Sequence, residues 1–130
     1  MARSQSDTDG NSDSSTQPTP KLGPGDFAAD REESEVVVVV DIHDEQADEY
    51  KIPALAGRTV AEVPSNSAYP ADDTVVEVVY VSTLNYKLRK VRDMKWDTAK
   101  IVGMYGGDNL SRYDVRSYSV PASRLREVDT

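Results

Sequence analysis

The chain has 130 residues, carries a formal net charge of −8 from 23 acidic and 15 basic side chains, and contains no cysteine. That balance disfavours non-specific attraction to nucleic acid or anionic lipid. The missing thiols exclude disulfides, cysteine-ligated zinc, iron–sulfur clusters and cysteine nucleophiles.

Residues 1–33 are dominated by Ser, Thr, Asp, Gly, Pro and Gln, and beyond Met1 their only large apolar residues are Leu22 and Phe27. Such a segment buries too little surface to offset the entropy of ordering it, so an acidic disordered tail is predicted. Its first 25 residues hold no apolar run of signal-peptide length. The longest such run in the chain, Val36 to Val40, is far too short to cross a bilayer. A cytoplasmic protein without a membrane partner is expected.

Residues 34–130 are predicted to form one α+β domain. Glu35 to Ile42 is β-branched at nearly every position and carries valine on both parities, which reads as a strand covered on both faces. Glu49 to Ile52 alternates as a short strand would and completes a predicted hairpin with 35–42. Thr59 to Val63 is a further short-strand candidate, followed by an irregular loop through Asp73. Thr74 to Val81 repeats the valine pattern, with Val76, Val78 and Tyr80 on one apolar face and Glu77 interrupting the other. Leu84, Leu88, Val91 and Met94 recur at helical spacing, which predicts a helix over 83–95. Ile101 to Tyr105 within 100–105, and 113–120, are predicted strands, and 121–128 a helical turn or tail. The expected fold is a β-rich core of about five strands with one helix. An all-β sandwich or barrel is the alternative.

Aspartate outnumbers glutamate 15 to 8, and arginine outnumbers lysine 9 to 6. With the segments Tyr69 to Tyr80 and Tyr118 to Leu125, this composition resembles that of small uncharacterised acidic proteins of salt-loving archaea. The likeness covers about a third of the chain. It implies a salt-rich cytoplasm as the working environment and carries over no functional residue.

Candidate chemistry is sparse. The only histidine, His43, lies in Asp41-Ile42-His43-Asp44-Glu45. An imidazole beside carboxylates can help to hold a divalent ion that activates water, so Asp41 and His43 are the candidate metal ligands of a hydrolase. A second histidine or a distant carboxylate would have to complete that site. A Ser/His/Asp triad would also need His43, and no Gly-x-Ser-x-Gly elbow exists. Gly103, Gly106 and Gly107 lack the Lys-Ser/Thr of a phosphate loop, so no cofactor is expected.

One segment reverses the overall charge. Lys87, Arg89, Lys90, Arg92, Lys95 and Lys100 stand against Asp93 and Asp97, a net of +4. Bracketed by Tyr86 and Trp96, this segment has the makings of a nucleic-acid surface, with cations on phosphates and rings on bases. Molar salt would shrink the Debye length to about 3 Å and remove most long-range attraction. Tyr105, Tyr113 and Tyr118 share the C-terminal third with Arg112, Arg116, Arg124 and Arg126, a mixture enriched at interfaces. The sequence therefore points first to a non-enzymatic domain that binds a protein partner or a second copy of itself. Nucleic-acid association through 87–100 and a metal-dependent hydrolase around Asp41 and His43 are the alternatives.

Overall fold

A computed structural model describes residues 21–128. They form a five-stranded antiparallel sheet with two short helices, an α+β fold dominated by its strands. The strands are β1 (Phe27–Asp30), β2 (Glu35–Gln46), β3 (Thr74–Tyr80), β4 (Tyr118–Pro121) and β5 (Leu125–Glu127), in the order β4-β3-β2-β1-β5. Between β3 and β4 lie the helices α1 (Val81–Leu84), continued by a wider-wound stretch Asn85–Lys90, and α2 (Thr98–Gly106).

The two edge strands are joined by only three residues, Ala122–Arg124, wound as a 3-10 turn. In a flat sheet, edges separated by four strand spacings would stand about 19 Å apart. The four steps from Pro121 to Leu125 reach at most about 14 Å. Pro121 pairs with Val75, and Leu125 with Asp30, so the turn also links opposite ends of the sheet. The sheet must therefore curl strongly, and it has a concave and a convex face.

The valine runs supply both faces. Val37, Val39, Val76 and Val78 meet Ala28, Val120, Ala122 and Leu125 on the concave side. Val38, Val40 and Val79 point the other way, onto Leu84, Leu88, Ile101, Leu110 and Val115. A smaller cluster of Ala47, Val60 and Val75 lies under the long connection between β2 and β3. At Val40 the pairing slips, from Val39 opposite Val78 to Asp41 opposite Glu77. This bulge puts one extra residue on β2 and keeps both Val40 and Asp41 on the convex side.

Several expectations are corrected. The folded part begins before residue 34, because Phe27–Asp30 is a strand with neighbours on both sides, and Ala28 is fully buried. The remainder of the expected tail, residues 1–20, lies outside the described residues. The segment 49–52 contributes only an isolated bridge between Lys51 and Thr59. Thr59 to Val63 forms a 3-10 turn over Val60–Glu62, closed by a capping box between Thr59 and Glu62.

The segment 100–105 is helix rather than strand. Asp97 caps α2 by accepting from the Lys100 amide at 2.8 Å. Ile101, Met104 and Tyr105, at helical spacing, then pack on the convex face. The predicted strand over 113–120 is confined to Tyr118–Pro121, since Leu110–Tyr113 is a 3-10 turn. Leu125–Glu127 is a strand rather than a tail.

The helix expected over 83–95 ends at Lys90. Its last turns widen: the Val91 amide donates to the carbonyl of Tyr86, five residues back, at 2.9 Å. The extra residue per turn swings Val91 off the apolar stripe, where it is 56% exposed, while Leu84 and Leu88 stay buried. Met94 returns to the core after Asp93 adopts a left-handed backbone (φ 53°). No helix among the described residues is long and apolar enough to cross a membrane.

Candidate functional site

The convex face turns polar around Glu77, where Asp41, His43 and Ser119 also lie. Glu77 is 7% exposed, and its carboxylate collects three side-chain partners. His43 Nε2 lies 3.1 Å from Oε1, Ser119 donates to Oε1 at 2.5 Å, and Ser117 donates to Oε2 at 2.5 Å. Strand geometry explains the convergence. Ser119 is the register partner of Glu77, and Ser117 lies two residues away in sequence, on the same side of the chain. The His43 ring stacks on Tyr50 with centroids 4.3 Å apart.

This arrangement is not a catalytic triad. Both hydroxyls point at the carboxylate, not at the imidazole, so His43 is not placed to take a proton from either serine. Asp41 faces Glu77 across the strands, and its Oδ1 accepts from the Ile42 amide at 2.9 Å. Among the described residues no group of three or more His, Cys, Asp or Glu side chains could hold a metal ion.

A groove of about 1000 Å³ opens beside this cluster. Tyr50, Ile52, Pro53 and Leu55 from the β2–β3 connection line it, together with Tyr105 from α2 and Leu110. Every residue from Val115 to Val120 lines it. Successive side chains of an extended chain point to opposite faces. Of this run Tyr118 to Val120 is strand and shows the groove its edge, while Val115 to Ser117 is the irregular approach to it. Among the described residues, the backbone of β4 bonds only to β3. The groove thus reaches the edge of β4 that pairs with no strand, and the 3-10 turn Val60–Glu62 lies close to the same strand.

The groove lining holds four acidic side chains, Glu33, Glu35, Glu77 and Asp108, against Arg116 and Arg124. Burial first, and then the Glu77 carboxylate, raise the pKa of the Tyr50 phenol. The same two causes in the same order, with Asp41 behind them, push Tyr105 up to about 12.

A second polar network closes the corner of the sheet. Arg124, 5% exposed, donates through Nε and Nη2 to the two oxygens of Asp30 at 2.8 and 3.0 Å. Its Nη1 donates to Ser65 Oγ and Asn66 Oδ1. Asp30, 1% exposed, also accepts from the Tyr80 hydroxyl at 2.6 Å and the Glu32 amide at 2.9 Å. Burial acts to raise the Asp30 pKa, but these donors outweigh it and hold the carboxyl below its ordinary 3.8. Burial and the bond to Asp30 raise the Tyr80 phenol. The network ties β1, β3 and the 122–124 turn to the β2–β3 connection, and its role is structural.

The residues of the basic segment are displayed on the surface. Tyr86 is 54% exposed, and Arg89, Lys90, Arg92 and Lys95 are exposed around it. Lys87 pairs with Asp114 at 2.6 Å, which is the one carboxylate contact of these cations among the described residues. Lys87 and Lys90 lie about 6 Å over the Tyr86 ring, and Arg92 lies 5.3 Å over Tyr113. Trp96 is half-buried and donates to Asn85 Oδ1 at 3.1 Å. Tyr86 and Trp96 therefore do not form a matched pair of open rings.

Sequence reasoning missed Glu77, Tyr50, Tyr105, Ser117 and Ser119 as a group. The available signals were a lone carboxylate inside a valine strand and two serines two residues apart. Comparison with protein-family models, curated proteins and solved structures finds no match.

Proposed function

We propose that this chain is a binding module that takes an extended segment of a partner protein along the open edge of β4. The observation that carries the reading is the unbroken lining of the groove by Val115 to Val120. Unpaired strand edges recruit added strands through main-chain hydrogen bonds, while pockets along the edge select side chains. Ile52, Pro53 and Leu55 supply an apolar wall for such selection. The composition supports a cytoplasmic setting of high salt, and an interaction built on backbone bonds and buried contacts survives there better than one built on surface charge.

The test is an array of random 12-residue peptides probed with the whole chain in molar potassium chloride. The tightest binder is then resynthesised with N-methyl groups at alternate backbone nitrogens. Loss of binding for one of the two methylation registers, with amide shifts at Ser117 to Val120, supports strand addition. Undiminished binding in both registers refutes it. A second copy of the chain is the alternative occupant, through β4 paired with β4; light scattering that shows a monomer at the highest attainable concentration removes it.

The exposed cluster of Arg89, Lys90, Arg92 and Lys95 around Tyr86 supports a second reading, contact with nucleic-acid phosphates. Mobility shifts with single- and double-stranded probes test it. Affinity unchanged by Arg89→Glu with Arg92→Glu would eliminate it. The metal-hydrolase reading of Asp41 and His43 gains no supporting ligand group among the described residues.

A further inference from the structure

We propose that the groove selects a positively charged side chain, lysine or arginine, and seats its cationic head on Glu77 beside Tyr50 and Tyr105. This inference rests on the strand-edge reading above and names the chemistry of the occupant.

The first support is the hydrogen-bond inventory of Glu77. An ionised carboxylate offers about four acceptor positions, two on each oxygen. Oε1 takes both His43 and Ser119, whereas Oε2 takes only Ser117. One acceptor position of a buried carboxylate oxygen is therefore unfilled among the described residues, in a side chain that lines the groove. No lysine or arginine among them pairs with it; its one ion-pair partner is His43, which counts as a cation only when protonated.

The second support is the charge around the groove. Glu33, Glu35, Glu77 and Asp108 line it against Arg116 and Arg124. Arg124 is already matched by Asp30, which leaves Arg116 as the only other cation of the lining. The third support is aromatic. Tyr50 and Tyr105 line the same space, and ring faces attract ammonium and guanidinium groups through their quadrupoles. The upward push on both phenols, from burial first and Glu77 second, agrees with that placement. A metal ion would need several oxygen or nitrogen ligands at once. A donor group needs one open acceptor and a ring, and that is what the groove provides.

The peptide array described above supplies the test, now read by composition. Binders of the wild-type chain should be enriched in lysine and arginine, and the enrichment should disappear with Glu77→Gln, which keeps the shape and removes the charge. In the tightest binder, replacement of the key lysine by norleucine should weaken binding to the wild-type chain by about ten- to a hundredfold, the range of a charge-assisted hydrogen bond. This second measurement needs no protein variant and decides the matter should Glu77→Gln fail to fold. Binders without cationic enrichment, or a norleucine loss below about twofold, overturn the charge assignment and leave strand addition standing. An array with no binders overturns both.

Discussion

Replacement of Arg124 by alanine probes the corner where the sheet closes. The substitution takes two donors from Asp30 and one each from Ser65 and Asn66. Asp30 would keep only Tyr80 and Glu32 as partners while remaining almost wholly buried. Breaking a buried ion pair from one side costs about 3–5 kcal/mol, because the remaining charge loses its compensation. A domain of this size has about 5–15 kcal/mol of stability in all. With a urea dependence of about 1.5 kcal/mol per molar, the unfolding midpoint should fall by about 2–3 M.

Equilibrium unfolding followed by circular dichroism measures this, and a double-mutant cycle with Asp30→Asn isolates the pair. The two single losses should be strongly non-additive. The effect should persist in molar potassium chloride, since salt screens a buried pair far less than a surface one. It should vanish in acid. The Asp30 carboxyl titrates below its ordinary 3.8 in the folded chain, so its contribution is present above about pH 4. That contribution is lost as the pH falls through the still lower folded value. A loss below about 1 kcal/mol for Arg124→Ala, or additive single variants, would refute the reasoning.

Three further outcomes are expected. Glu77→Ala removes the shared acceptor of His43, Ser117 and Ser119 and should cost about 1–3 kcal/mol in the same unfolding assay, with Ser119→Ala costing less. Ile101→Ala should cost about 2–5 kcal/mol by opening a cavity between α2 and the convex face, whereas Ala99, exposed on the same helix, should tolerate Ser with little change. Spectrophotometric titration of the tyrosines should lag in the folded chain relative to the denatured one, because Tyr50, Tyr69, Tyr80 and Tyr105 all hold their protons above the ordinary 10. Stability should correspondingly decline as the pH rises beyond 10, and coincident titration curves would contradict the burial assigned to these phenols.

The two long strands were legible in the sequence because valine on both parities has one simple meaning, a sheet covered on both sides. Glu35–Gln46 and Thr74–Tyr80 follow that pattern. The short strands β1 and β5 were not legible, although β4 falls largely within the predicted strand 113–120. Phe27–Asp30 has four residues in a Gly- and Asp-rich stretch, and its two alanines are buried by neighbours nearly a hundred positions away in β5. Ile101 to Tyr105 reads equally as strand or helix by hydrophobicity alone. The Asp97 cap and the fit of Ile101 and Met104 to the convex face decide for helix. The Glu77 cluster was invisible for a related reason. Its members come from β2, β3, β4 and the segment entering it, with Tyr50 from the β2–β3 connection and Tyr105 from α2, and only sheet register and tertiary packing bring them together. His43 drew attention as the lone imidazole, yet the carboxylate it meets is Glu77, 34 residues on, not its neighbours in sequence.

The position of β5 has a consequence for how the protein is made. Leu125 is fully buried against Ala28 and Val37, and Arg124 reaches across 94 positions to Asp30. Until Glu127 has left the ribosome, a nascent chain can form the β2–β3 pair but leaves β1 with a bare flank. Such distant contacts carry a large closure entropy and form late. Ala28 and Val37 therefore stay open on one flank until Leu125 docks, whereas Val38, Val40 and Val79 can be covered earlier by the helices between β3 and β4.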